Sequence, residues 1–213
     1  MKRPPLYELL ERVRFRQLFT RLYQVELHGA ERIPAAGPLI LVSNHESLID
    51  PWFLGLATPR PIRYMAKAEL WQYPVVHWVM EKFGTFPIER GGGDRLAMGR
   101  AASLLAEGEV LGIFPQGTCL PYRHRPFHRG AARLALVTGA PLVPIALVNT
   151  EKALRPGRLK LGRPSVKVIV GEPIEVEPAR PTLAAAKALT RRLDDAIRAL
   201  RAPYGEPAHV WID

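Results

Sequence analysis

Short apolar runs alternate with segments whose apolar positions recur at helical spacing, and the alternation holds through most of the chain. Pro38 to Val42 (PLILV), Ile62 to Met65, Thr85 to Ile88, Val110 to Phe114 and Leu142 to Val148 read as strands. Val166 to Val170 and Ile174 to Val176 read as further β-rich pieces. Between them, helices are predicted from Pro51 onward and over Leu70 to Lys82, with a break near Pro74. Others cover Arg95 to Glu107, which Asp94 can cap, then Gly130 to Thr138 and a closing segment Leu183 to Leu200. This order predicts one α/β domain: a mixed, mostly parallel central sheet with helices on both faces. The chain has 213 residues, suited to a single core, and no repeat or linker divides it.

The opening segment stands apart, and residues 1–26 are separated from a domain over 27–213. One helix is predicted over Leu6 to Tyr23. Leu6, Leu9, Leu10 and Val13 share a face, whereas Phe15, Leu18, Phe19 and Leu22 share a nearly opposite one, with Arg12, Arg14, Arg16 and Arg21 between. Two readings stand side by side. One is an interfacial helix with apolar groups in lipid and arginines at the headgroups. The other is a helix packed between the core and a neighbour.

Charge narrows the partners. Lys and Arg number 30 against 20 Asp and Glu, a formal +10, which calls for an anionic partner: nucleic acid, anionic lipid or a phosphorylated substrate. The arginines are scattered and no nucleic-acid-binding motif accompanies them, so nucleic acid is not expected. No run reaches the roughly 18 apolar residues of a spanning helix. The N-terminus lacks the apolar core of a secretory signal. The expected location is the cytoplasmic face of a membrane, peripheral or monotopic. A single cysteine, Cys119, excludes an internal disulfide and reads as an ordinary thiol. The histidines show no zinc-like spacing, and no phosphate loop or Gly-x-Ser-x-Gly elbow is present, so no metal or cofactor is expected.

The chemistry concentrates in Ser43-Asn44-His45-Glu46-Ser47-Leu48-Ile49-Asp50-Pro51, directly after a buried strand. On an ideal helix His45 and Asp50 would be about 140° apart, so they cannot share a helical face. Asp50 before Pro51 suits a helix N-cap, with His45 on the preceding loop free to fold back towards it. A carboxylate beside an imidazole fixes its tautomer and stabilises the imidazolium formed when the other nitrogen takes a proton. The alternative is a capping aspartate and an unrelated loop histidine, and spacing alone leaves both open.

Four ordered blocks bear on the choice: NHESLID, GTFPIER at Gly84 to Arg90, FPQGT at Phe114 to Thr118, and PLVPIAL at Pro141 to Leu147. Together they resemble the glycerolipid acyltransferase family, the His-x4-Asp enzymes whose best-known members are 1-acyl-glycerol-3-phosphate acyltransferases. The resemblance implies His45 as general base and Asp50 as its partner, moving a fatty acyl group from acyl-CoA or acyl carrier protein to a lysophospholipid hydroxyl without a covalent acyl-enzyme. It implies that Gly84, Phe86, Ile88 and Arg90 shape the acceptor site, with Arg90 and Lys67 on the phosphate. Gln116, Gly117 and Thr118 would add acceptor contacts, and Pro144 would belong to the fourth block. Arg and Lys are the physical choice for holding a phosphate. The third block departs from the family's usual Phe-Pro-Glu-Gly-Thr-Arg-Ser, with Gln116, Cys119 and Leu120 in place of Glu, Arg and Ser. Arg123, His124, Arg125, His128 and Arg129 follow and offer replacement positive charge. The departure leaves other acceptors in play, another lysolipid or glycerol phosphate, and also an inactive lipid-binding module.

Overall fold

The computed structural model describes residues 4–89, 95–119, 126–154 and 162–205. Seven strands form one sheet: β1 (Glu26–His28), β2 (Leu39–Ser43), β3 (Ile62–Lys67), β4 (Phe86–Ile88), β5 (Val110–Ile113), β6 (Leu142–Val148) and β7 (Lys167–Val170). Their order across the sheet is β1-β7-β6-β2-β5-β3-β4. All pairings are parallel except β6 with β7. The centre is apolar on both faces: every residue of β2 and of β6 is buried, which is why these strands are continuous apolar runs rather than alternating ones.

The helices divide between two layers. On one side α5 (Arg95–Ala106), α6 (Gly130–Thr138) and α7 (Leu183–Arg201) cover Ile40, Val42, Leu142, Ala146 and Val148. On the other, α2 (Phe15–Leu22) and α3 (Asp50–Gly55) cover Leu39, Leu41, Val143, Ile145 and Leu147. There the aromatic rings of Phe15, Phe19, Tyr23, Trp52 and Phe53 pack within 4.8–6.5 Å of one another.

The opening segment is not one helix. It splits into α1 (Pro5–Arg12) and α2, with Arg14 between them in the left-handed conformation at φ +50°. The break answers the switch of apolar face: α2 turns Phe15 and Phe19 onto Trp52 and the core while Leu18 and Leu22 stay exposed. The segment also runs into the sheet, since Glu26 is the first residue of β1. α4 (Pro74–Lys82) begins at its proline after a short 3-10 turn over Ala68–Gln72, so the predicted break marks a helix start. Of the piece at Ile174 to Val176 only Ile174 pairs, in a single bridge to Leu142. Residues 90–94, including Arg90, the loop glycines and Asp94, lie outside the described residues.

Because β2, β3, β4, β5 and β6 are mutually parallel, they end on the same edge of the sheet. The first and third sequence blocks lie on loops that leave this edge after β2 and β5, whereas the second and fourth run through β4 and β6 themselves. In open α/β sheets the crevice outside the carboxyl ends of the strands is where ligands bind.

Candidate active site

The loop from Ser43 to Ile49 leaves β2 and is tied on both sides of His45. Asn44 donates its side-chain amide to the Leu147 carbonyl at 2.9 Å and accepts from the Leu147 N–H at 2.8 Å. Its side chain thus replaces a strand partner for β6. Ser47 Oγ donates to the Leu154 carbonyl at 2.7 Å. Between these anchors the loop folds back on α3.

Asp50 does not cap α3 with its side chain, as the sequence suggested; it is the first residue of that helix, and its carboxylate turns back into the loop. Oδ2 accepts from the N–H groups of Glu46 at 2.6 Å and Ser47 at 2.8 Å, and lies 2.8 Å from His45 Nδ1. Asp50 is fully buried. A carboxylate only accepts, so the proton between the two groups belongs to Nδ1, and the neutral ring presents its lone pair at Nε2. The two backbone amides hold the carboxylate by charge-assisted hydrogen bonds. His45 lies flat on Phe114, ring centroids 4.3 Å apart, and Tyr64 stacks on Phe114 in turn at 6.3 Å. This platform fixes the imidazole plane as the carboxylate fixes its tautomer.

The third block closes the site from β5. Gln116 is buried, and its Oε1 accepts the His45 N–H at 2.6 Å, while its Nε2 has no hydrogen-bond partner among the described residues. Gly117 turns the loop at φ +72°. Cys119 brings its sulfur to 2.9 Å from His45 Nε2. The residue read from sequence as an ordinary thiol therefore faces the ring nitrogen of His45 that Asp50 leaves free. Stoichiometric alkylation of Cys119 by iodoacetamide, confirmed by intact mass, is expected to lower acyl transfer more than ten-fold. The same treatment should leave the rate of a Cys119→Ser chain where it began.

A cluster of buried charge backs the loop. Glu46 pairs with Arg201 at the end of α7, and both are buried. Glu151 is also buried, and its carboxylate and that of Asp50 both act on Glu46. Burial pushes the Glu46 carboxyl up to about 7; Arg201 opposes the rise, while Asp50 and Glu151 add to it.

The remaining predicted residues are placed as follows. Lys67 and Ile88 are register partners at the ends of β3 and β4. Two strand positions, roughly 10 Å at about 4.8 Å per spacing, separate β3 from β2. Phe86 is buried, with the Arg100 guanidinium 5.2 Å from its ring centroid. Gly84 has a backbone reason to be glycine. It ends α4 at φ +70°, and an added Cβ would stand 2.0 Å from Arg63 Nη1, whose guanidinium is paired with Glu109 at 2.9 Å. Thr118 sits half-buried between Gly117 and Cys119. Pro144 is buried inside β6, opposite Val42, and packs towards Gly171 and Leu200 rather than towards His45. His128 and Arg129 line a groove with Lys187 and Arg191 of α7. Arg123, His124 and Arg125 lie outside the described residues. Asn44, Glu46, Phe114 and Arg201 were not singled out by sequence reasoning. Only the first three carry a local signal, by lying within or beside the blocks.

Fold and site together define an α/β domain with a hydrogen-bonded histidine–aspartate pair at the carboxyl edge of its sheet. The chain belongs to the acyltransferase family, whose model matches residues 24–148. It is 32% identical over 178 residues to the 1-acyl-sn-glycerol-3-phosphate acyltransferase of Bacillus subtilis (strain 168), covering 80% of this chain and 87% of that one. A chloroplastic 1-acyl-sn-glycerol-3-phosphate acyltransferase of Brassica napus is also 32% identical, over 71% of this chain, which spans 45% of that relative. A lyso-ornithine lipid O-acyltransferase of Pseudomonas aeruginosa is 38% identical over 112 residues, 52% of this chain and 43% of the relative. The fold matches the crystal structure of the 1-acyl-sn-glycerophosphate acyltransferase PlsC from Thermotoga maritima with a TM-score of 0.70 at 22% identity, covering 91% and 81% of the two chains.

Proposed function

We propose that this acyltransferase moves a fatty acyl group from a thioester donor, acyl-CoA or acyl carrier protein, to the free hydroxyl of 1-acyl-sn-glycerol-3-phosphate, giving phosphatidic acid. The observation that carries the reading is the 2.8 Å contact between His45 Nδ1 and the buried Asp50 carboxylate, which leaves Nε2 as the proton acceptor. His45 takes the acceptor's proton as its oxygen attacks the thioester carbonyl, and Asp50 stabilises the imidazolium; the proton then passes to the departing thiolate. To reach Nε2 the hydroxyl displaces the Cys119 thiol. Lys67, the last residue of β3, and Arg90 are the cations for the acceptor phosphate. Gln116, Gly117 and Thr118 close the acceptor side, with Phe86, Ile88 and Gly84 shaping its wall and Pro144 supporting it from within the sheet.

Among the described residues no helix is long and apolar enough to cross a membrane. The acceptor is a lipid, so the domain meets it at a surface. Leu9 on α1, Val13 in the break after it, and Leu18 and Leu22 on α2 are exposed, as are Val75 and Trp78 on α4. Tyr7 and Phe83 hold α1 beside the end of α4, 5.7 Å between ring centroids. These groups would enter an anionic leaflet of the cytoplasmic face, the +10 charge adding attraction. Arg16 is spent inward on the carbonyls of Leu56 and Thr58.

The deciding measurement is release of CoA thiol from acyl-CoA by the purified chain, with and without 1-acyl-sn-glycerol-3-phosphate. Acceptor-dependent release with formation of phosphatidic acid is expected. Release that depends instead on lyso-ornithine lipid would favour the second reading, which rests on Gln116 and Cys119 in the third block and on the similarity to the Pseudomonas relative. Vesicle binding with no release under any acceptor would leave a lipid-binding module.

A further inference from the structure

We infer that Arg201, the last residue of α7, is a positioning residue for the His45–Asp50 dyad, holding the loop from its far side through Glu46. The inference rests on the proposed role of His45 and adds a residue to it. Arg201 lies outside the stretch 24–148 matched by the family model and 155 positions from the glutamate it pairs with.

The case is one of connectivity. His45 sits between Asn44 and Glu46, and each of these is held by a side-chain bond across the fold. Asn44 brackets the Leu147 peptide from both sides. Arg201 Nη1 reaches the same Leu147 carbonyl, at 3.3 Å, and also pairs with Glu46 Oε1. Both flanks of His45 are therefore tied to Leu147 of β6, Asn44 directly and Glu46 through the Arg201 guanidinium. The Glu46 backbone N–H is in turn one of the two amides that hold Asp50 Oδ2, at 2.6 Å. A shift of Glu46 would move the hydrogen bond that orients the carboxylate and, through it, the imidazole. Misplacements of about 1 Å in such an arrangement are enough to cost on the order of 100-fold in rate.

Economy of charge points the same way. Replacing a buried ion pair by apolar residues of the same volume is often neutral or stabilising, and fixing a conformation is one attested use of such pairs. Here the pair is buried beside two further carboxylates, and Glu46 Oε2 and Glu151 Oε2 have no hydrogen-bond partner among the described residues. An apolar pair would pack this end of α7 at less cost. What it would not do is aim Glu46.

The test compares the full-length native chain with Arg201→Met, Arg201→Lys and the double variant Glu46→Gln/Arg201→Met. The double variant matters because it removes both members of the pair, so that neither Glu46 nor Arg201 is left without its partner, and it should fold with a melting temperature within a few degrees of native. Two readouts are taken: kcat and KM for the acceptor, and the 15N shifts of the His45 ring, which report its tautomer. The expected result is a kcat at least ten-fold lower in the double variant with acceptor KM within two-fold, a His45 ring no longer held in the single Nδ1–H form, and a kcat for Arg201→Lys that lies between. A folded double variant whose kcat stays within two-fold of native, or whose His45 tautomer is unchanged, overturns the inference. Should the native chain itself fail to acylate the acceptor, the proposed function falls, and the ring shifts still decide the role of Arg201.

Discussion

His45→Ala is expected to reduce acyl transfer by about 100- to 10,000-fold, the usual contribution of a positioned general base. Among the described residues the imidazole is the one at the carboxyl edge whose tautomer is fixed by a buried carboxylate, and its Nε2 is the atom turned towards the third block. The ring lies against Phe114 and is only partly buried, so its removal leaves the core clusters untouched. Far-UV circular dichroism and the melting temperature should therefore stay near native while thiol release falls to background. A purified, folded His45→Ala chain that retains even a tenth of the native rate would remove the dyad from the mechanism.

The second large effect is at Asp50, where activity and stability separate by substitution. Asp50→Ala strands the N–H groups of Glu46 and Ser47 in a buried place, at about 1–3 kcal/mol for each amide. It also frees the His45 ring, so both the melting temperature and the rate should fall. Asp50→Asn behaves differently. Its carbonyl oxygen can take the place of Oδ2 and still accept from both amides and from Nδ1. Its amino group then occupies the position of Oδ1, which is buried and has no partner among the described residues. The negative charge that stabilises the imidazolium is gone. The rate should fall on the order of 100-fold or more, with a smaller loss of melting temperature than in Asp50→Ala. Measuring both quantities for both variants checks the separation. Equal rates in native and Asp50→Asn chains would reduce Asp50 to a loop anchor.

These expectations rest on features of unequal legibility. The buried strands were open to reading because their signal is local: β6 is an unbroken apolar run of seven residues and was placed at its observed bounds. β1 was not, since Glu-Leu-His has no pattern of its own and becomes a strand only by pairing with β7. The single helix expected at the N-terminus failed at Arg14 because periodicity shows that two apolar faces disagree, but not that the chain will break to satisfy both. Asp50 shows the same limit on a smaller scale. Aspartate before proline does start a helix here, yet the direction of its carboxylate was decided by two loop amides and an imidazole.

The amino-acid sequence by itself determined the layered α/β class and the placing of His45 on a loop just ahead of the helix that begins at Asp50, because each depends on neighbours along the chain. Only the tertiary structure decided that Cys119 would face Nε2 of His45 from 74 positions away and that Arg201 would reach Glu46 from 155. Those contacts follow from β2 lying between β5 and β6 and from α7 crossing back to the carboxyl edge. Strand order is set by which surfaces bury one another, a property that no local period of the sequence carries.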